Sequence, residues 1–331
     1  MIRLQILFWY FITAASAVHY ECLPYPVDSV CRIEYISYHS GDKITFPKGY
    51  QQFLIKSSLS SKLERSNISI FDHDLYDAMH RPSSVRMRDT GINTLDMPPE
   101  LLLGDFSDNR LVSVNTSNED NFQITYLDLS FNWLDNIEFV SRLVNMETLF
   151  LRSNRIKIVP RSALTPLKQL KYLYLQYNQF AAIPWNDIPH SVMFLDCSHS
   201  VVRMAEFTDI SLPSLEYLNL QYNMLSSINV SDLLLAAPKL KEAHLYNTEI
   251  EWPKLMDELA LNNISTSNLF QFCSLDKGYT VILGVCTPPP SMYYVRVAKK
   301  VLLWIVAIGS GVLCVCTLLF AIRHMKKLRW I

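Results

Sequence analysis

The chain has 331 residues, half of them hydrophobic and 18% charged, with a formal charge of -1 at neutral pH. That balance argues against a surface built for nucleic acid or another polyanion. No G-x-S-x-G, H-E-x-x-H or glycine-rich phosphate loop marks an enzyme, and no cofactor is expected. Asp72, His73 and Asp74 are adjacent on a loop and do not converge as metal ligands do, while His199 and His244 lack a paired nucleophile.

From the start, Met1 to Ala17 reads as a secretory signal. Arg3 supplies the positive region, Leu4 to Ile12 the apolar one, and Ala15-Ser16-Ala17 the cleavage site. The apolar part is shorter than the roughly 20 residues a membrane span needs. Val18 to Gly49 carries Cys22 and Cys31 among prolines and aromatics. This segment is expected to cap the open edge of the first repeat.

Residues 50–254 repeat. The clearest copy is Ile124-Thr-Tyr-Leu127-Asp-Leu129-Ser-Phe-Asn132-Trp-Leu134, and five more start at Met146, Leu170, Val192, Leu215 and Leu240, 22 to 25 residues apart. Weaker copies run through Val85-Arg-Met87 and Leu101…Gly104-Asp-Phe106, with Phe53-Leu54-Ile55 opening a series of eight or nine. The pattern L-x-x-L-x-L-x-x-N-x-L at this period is that of leucine-rich repeats. It predicts an α/β solenoid, a horseshoe with a parallel concave sheet. In each copy the fourth and sixth residues point inward and the third, fifth and seventh outward. The ninth-position Asn132, Asn154, Asn178 and Asn223 can both donate and accept, and so can bond backbone groups left open by the next coil. Ser200 and Thr248 take that place in two copies.

Residues 255–292 read as a C-terminal cap and spacer, with Cys273, Cys286 and Pro288 to Pro290. Val301 to Ile322 is uncharged and long enough to span a bilayer. The tail, 323–331, holds Arg323, Lys326, Lys327 and Arg329, which places it on the cytoplasmic side. The expectation is a single-pass plasma-membrane protein with its N-terminus outside. Strands step by about 4.7–4.9 Å, so eight repeats part the caps by roughly 35 Å. A disulfide needs Cα atoms within about 7 Å, which pairs Cys22 with Cys31 and Cys273 with Cys286. Cys197 stands in a leucine slot as a buried thiol. Sequons at Asn67, Asn115, Asn229 and Asn263 suit a secreted domain, with Asn115 and Asn229 both past the strand toward the outer side.

The outward columns are rich in rings, the residues that dominate protein–protein contacts. Tyr126, Phe150, Tyr172, Tyr174, Tyr177, Phe194, Tyr217 and Tyr222 are the candidate ligand contacts. The same rings can also stack on each other across strands. The repeats, the Cys22–Cys31 cap and the short period resemble the insect leucine-rich immune proteins of transmembrane type, and more loosely a Toll-type ectodomain. The chain departs from the former in lacking a double cysteine and a coiled coil. The resemblance implies a receptor or co-receptor in innate recognition, with a protein or microbial ligand and a membrane partner. An adhesion protein using the same face is the alternative.

Overall fold

The computed structural model describes residues 17–56, 66–117, 121–245 and 252–266, with the strand backbones 280–282 and 285–287. Residues 1–16 of the signal, the apolar run 301–322, the basic tail and Cys273 lie outside the described residues, and so does the pairing expected of Cys273 with Cys286. Residues up to 268 form one unit. Of the second, an antiparallel pair is described, Thr280–Ile282 with Val285–Thr287.

The first unit is built on ten parallel strands, one per coil. They are β1 (Val30–Ile33), β2 (Gln52–Lys56), β3 (Ser84–Arg88), β4 (Leu103–Asp105), β5 (Tyr126–Asp128), β6 (Thr148–Phe150), β7 (Tyr172–Tyr174), β8 (Phe194–Asp196), β9 (Tyr217–Asn219) and β10 (Glu242–His244). Neighbouring strands pair in register, so that Leu127, Leu149, Leu173, Leu195 and Leu218 line up through the interior. The sixth-position Leu129, Leu151, Leu175, Cys197 and Leu220 form a second buried spine. Burying each leucine stabilises by about 1.5–3 kcal/mol relative to leaving it exposed, and only stacking of neighbours provides that burial. This is a leucine-rich-repeat solenoid.

Its start lies earlier than the repeat pattern indicates. β1 falls inside the segment expected to be a cap, and Cys31 occupies the inward slot in register with Phe53. Cys31 bonds Cys22 with Cα atoms 4.9 Å apart. The cap proper is the strip before it, where the Leu23 N–H donates to the Arg32 carbonyl at 2.8 Å and covers the sheet edge. A cysteine in place of leucine hides this coil from the repeat signature.

The asparagines bond backward, to the preceding coil rather than the next. Asn154 Nδ2 donates to the Leu129 carbonyl at 2.9 Å, and its Oδ1 accepts from the Leu134 N–H at 3.0 Å. Asn132, Asn178 and Asn223 make both contacts with their own preceding coils. Ser200 fails at the task, its buried Oγ having no hydrogen-bond partner. Thr248 lies outside the described residues.

The convex side changes along the solenoid. The early coils carry short parallel strands there, Ile70–Phe71, Thr94–Asp96 and Ser113–Asn115. Later coils carry helical turns, Glu138–Arg142, Arg161–Leu164 and Trp185–Asp187, then a helix at Val230–Ala236. Asp72 caps the helix His73–Ala78, its Oδ1 accepting from the Leu75 N–H at 2.9 Å and the Tyr38 hydroxyl at 2.7 Å. The first acid of the Asp72-His73-Asp74 run is thus structural. Gly104 stands in a leucine slot because the Phe106 ring fills the space. A Cβ at Gly104 would meet that ring at 2.9 Å and the Leu127 side chain at 3.2 Å.

Two departures from the repeat pattern therefore behave oppositely when repaired. Ser200→Asn is expected to raise the melting temperature, adding about 1 kcal/mol through one good pair of hydrogen bonds. Gly104→Leu is expected to lower it by the equivalent of about 1–3 kcal/mol, because it overpacks a filled core. Thermal melts of the two variants check both signs.

Candidate functional site

The concave sheet presents its fifth-position side chains as one row in register. The row runs Arg86, Asp105, Asp128, Phe150, Tyr174, Asp196, Asn219 and His244. Its acids have a local duty. Asp128 Oδ1 accepts from the Ser130 N–H at 2.8 Å, Asp196 Oδ1 from Ser198 at 2.9 Å, and Asp105 Oδ1 from Ser107 at 3.2 Å. Asn219 does the same for Gln221 at 3.1 Å. Each ties down the N–H two residues on, where the chain leaves the strand. Asp105 and Asp128 are direct neighbours. Burial first, and then the Asp105 charge, push the Asp128 carboxyl up to about 7.

Six rings from the third and fifth positions stack into an inner ladder. Centroids of Tyr126 and Phe150 are 5.5 Å apart, Phe150 and Tyr174 4.2 Å, Tyr174 and Phe194 4.7 Å, Phe194 and Tyr217 4.3 Å, and Tyr217 and His244 5.2 Å. The rings cover one another, so Tyr174 is only 6% exposed, and Phe150, Phe194 and Tyr217 are equally hidden. Burial raises the phenols of Tyr126, Tyr174 and Tyr217 well above their ordinary range, and they stay protonated. Tyr172 is half-buried, in register with Thr148 and Phe194.

The eighth position builds a second, outer ladder by a different route. Asp89, Asp108, Phe131, Ser153, Tyr177, His199 and Tyr222 all hold φ between 52° and 60°, the left-handed region. A side-chain-bearing residue there costs roughly 1–2 kcal/mol, so seven in succession mark a turn imposed by the fold. The turn carries the eighth side chains onto the rim where the strands end. Tyr177 and His199 stack at 4.1 Å, as do His199 and Tyr222. Ser153 leaves a gap in the column that the Arg152 guanidinium fills, 4.7 Å from the Phe131 ring and 5.0 Å from that of Tyr177. Burial, aided by the Arg152 charge, holds the His199 imidazole below its usual range, so it stays neutral at physiological pH. Unlike the inner rings, Phe131, Tyr177 and Tyr222 are about 40% exposed.

The eight candidate contacts thus divide. Tyr126, Phe150, Tyr174, Phe194 and Tyr217 share one packed stack, Tyr177 and Tyr222 stand exposed in the other, and Tyr172 is half-buried on the strand beside the first. Phe131 and Trp133 complete the exposed rim, with Arg152 half-buried between the rings and the Arg155 guanidinium 4.8 Å from the Trp133 ring. Their signal in the sequence is the eighth column itself together with an arginine beside a serine gap. Beyond the rim lies an open cavity of about 740 Å³, lined by Arg155 and Lys157 together with Asp135 and Glu138. The four sequon asparagines are exposed. Asn229 caps the helix Val230–Ala236 through an Oδ1 that accepts from the Asp232 N–H at 3.2 Å, which leaves Nδ2 for a sugar.

Residues 122–180 match the leucine rich repeat family model. No curated protein matches the chain. Among solved structures it is similar to the leucine-rich repeat domain of mosquito APL1B, with TM-score 0.52 and 18% identity over 73% of this chain and 76% of that one. It is also similar to Drosophila Toll in its complex with Spätzle, with TM-score 0.51 and 17% identity over 67% of this chain and 35% of that one. TLR13 in complex with ssRNA13 gives TM-score 0.51 and 18% identity over 59% of this chain and 29% of that one. The chain therefore spans about a third of the Toll and TLR13 chains, and the likeness to all three is one of fold.

Asp128 gives the solenoid a pH signature. Its folded value lies above the unfolded one, so the folded state binds the extra proton. Stability is therefore greatest below about pH 4 for this group and is lost as pH rises through about 7. The melting temperature is expected to rise as pH falls from 8 to 5, and Asp128→Asn should remove most of that slope. Melts across the range compare the two.

Proposed function

We propose that this chain is a single-pass cell-surface protein that holds a protein ligand, of host or microbial origin, against its concave side and serves innate immune recognition as a receptor or co-receptor. The outer ladder carries the reading. Large rings held in a left-handed turn, exposed in a row and backed by packed neighbours, are rigid anchors of the kind on which interface energy concentrates. Tyr177 and Tyr222 make the direct contacts. Tyr126, Phe150, Tyr172, Tyr174, Phe194 and Tyr217 form the floor and offer ring edges. The signal at 1–17, the run 301–322 and the basic tail support the membrane placement, and the exposed sequons Asn67, Asn115, Asn229 and Asn263 support a glycosylated outer domain.

Capture of a binding partner by cells displaying the full-length protein supplies the ligand. Tyr177→Ala and Tyr222→Ala are expected to weaken its binding at least tenfold with little change in melting temperature. Tyr174→Ala, by contrast, should destabilise the fold by roughly 3–5 kcal/mol, as loss of a packed ring does. Unchanged affinity in both rim variants would move the site off this side of the solenoid.

Topology has its own check. An antibody to a C-terminal epitope should stain only permeabilised cells, and one to an N-terminal epitope placed after residue 18 should stain intact ones. C-terminal staining of intact cells would refute the orientation.

A further inference from the structure

The tenth residues of successive coils form a column beside the outer ladder. Each N–H donates to a carbonyl of the preceding coil: Trp133 to Leu111 at 2.9 Å, Arg155 to Leu134 at 2.8 Å, Gln179 to Ile156 at 2.9 Å. Arg110, Val201 and Met224 continue the series to Ile92, Phe180 and Val202. These bonds keep the strand step at the rim, so a side chain here recurs every coil at about 4.7–4.9 Å.

Charge on this column and the twelfth, two residues further along each coil, is one-sided. Among the described residues the two columns hold four cations, Arg110, Arg155, Lys157 and Arg203, and one carboxylate, Asp135. All four cations are exposed, and none makes an ion pair among the described residues. The other end of the strands is different, because its lysines are paired: Lys171 bonds Glu147 at 2.9 Å and Lys241 bonds Glu216 at 2.6 Å. The rim cations come at every second coil, in the coils of β4, β6 and β8. At the sheet step that is roughly 9–10 Å, which a chain in the extended polyproline II conformation covers in three residues at about 3.1 Å each, with every third side chain on the same face. The exposed Trp133 stands in the coil between the first two, and the exposed Met224 in the coil after the last.

We infer that this rim takes an extended acidic peptide segment of the partner, with carboxylates at every third residue meeting Arg110, Arg155 with Lys157, and Arg203, and apolar side chains lying on Trp133 and Met224. The inference rests on the reading that the outer ladder is the ligand site, and names the chemistry of the strip beside it. Asp135 and Glu138, which share the cavity with Arg155 and Lys157, bound the positive strip. The two-coil spacing is the specific element, since a generally positive surface would have no preference for carboxylate spacing.

The probe is a synthetic twelve-residue peptide repeating Glu-Ala-Thr, measured against the purified full-length protein by fluorescence anisotropy. Its control has the same composition with the four glutamates consecutive. The spaced peptide should bind at least fivefold tighter than the control, and the triple variant Arg110→Glu, Arg155→Glu, Arg203→Glu should lose at least tenfold with an unchanged melting temperature. Lys241→Glu, on the opposite edge, should bind as the parent does. Equal binding of the two peptides, no loss in the triple variant, or tighter binding of phosphatidylserine vesicles or of a single-stranded oligonucleotide through the same three residues would overturn the inference. The captured ligand separates the two claims. If Tyr177→Ala loses it and the triple variant keeps it, the acidic-segment inference falls alone; if Tyr177→Ala also keeps it, both fall.

Discussion

Everything in this solenoid depends on how a chain leaves a three-residue strand without burying unsatisfied backbone groups. At that point the eighth residue turns left-handed, and the ninth folds an amide back under the coil before it. The turn is unfavourable by roughly 1–2 kcal/mol for each residue that is not glycine. The asparagine offsets this with one acceptor contact and two or more donor contacts, each worth about 1 kcal/mol net, and leaving those partners open would cost more. The bonds outweigh the turn in each coil, and leucine burial on either side adds to the margin. Where Ser200 replaces asparagine the turn persists at His199, because Asn223 of the next coil bonds the Cys197 carbonyl and the Val202 N–H, and the Val201 N–H still donates to the Phe180 carbonyl of the coil before.

That same turn sorts the aromatic residues. Rings at the third and fifth positions stand on a flat sheet at the strand step, close to the spacing at which rings stack, and they hide each other. Rings at the eighth position are swung past the strand end by the positive φ, and they stack while keeping an edge in solvent. One local backbone conformation thus separates a ladder that stiffens the sheet from a ladder that can be touched. The row of acids is absorbed in the same way, since Asp128 and Asp196 spend an oxygen on the serine two residues on.

Much of this was legible in the chain. The period located six of the ten strands without ambiguity, and alternation gave each one its inward pair. The ring columns were also visible, but their exposure was not. Alternation describes the strand and is silent about the residue after it, where the dihedral, rather than the spacing, sets direction. Two coils were hidden or blurred by chemistry foreign to the repeat. Cys31 fills a leucine slot as half of a disulfide, and Gly104 leaves its slot to a ring two residues on. The direction of the asparagine bonds could not be read from composition, because a side chain that both donates and accepts serves either neighbour equally well on paper.

Those bonds all run one way, and this gives the solenoid a polarity like that of a filament with unlike ends. At the leading end the ninth position of the β1 coil is Ile36, a buried apolar side chain with no hydrogen bond to make. At the trailing end the open groups belong to the backbone and cannot turn. The trailing end is the one that needs a lid, and the chain supplies it after the helix Trp252–Leu261. There the Ala243 N–H donates to the Ser265 carbonyl at 2.9 Å, and the Ser265 N–H donates to that of Lys241 at 2.8 Å. Growth of such a fold by added coils is therefore tolerated inside the stack far more readily than beyond Ser265, where a new coil would first have to displace its own stopper.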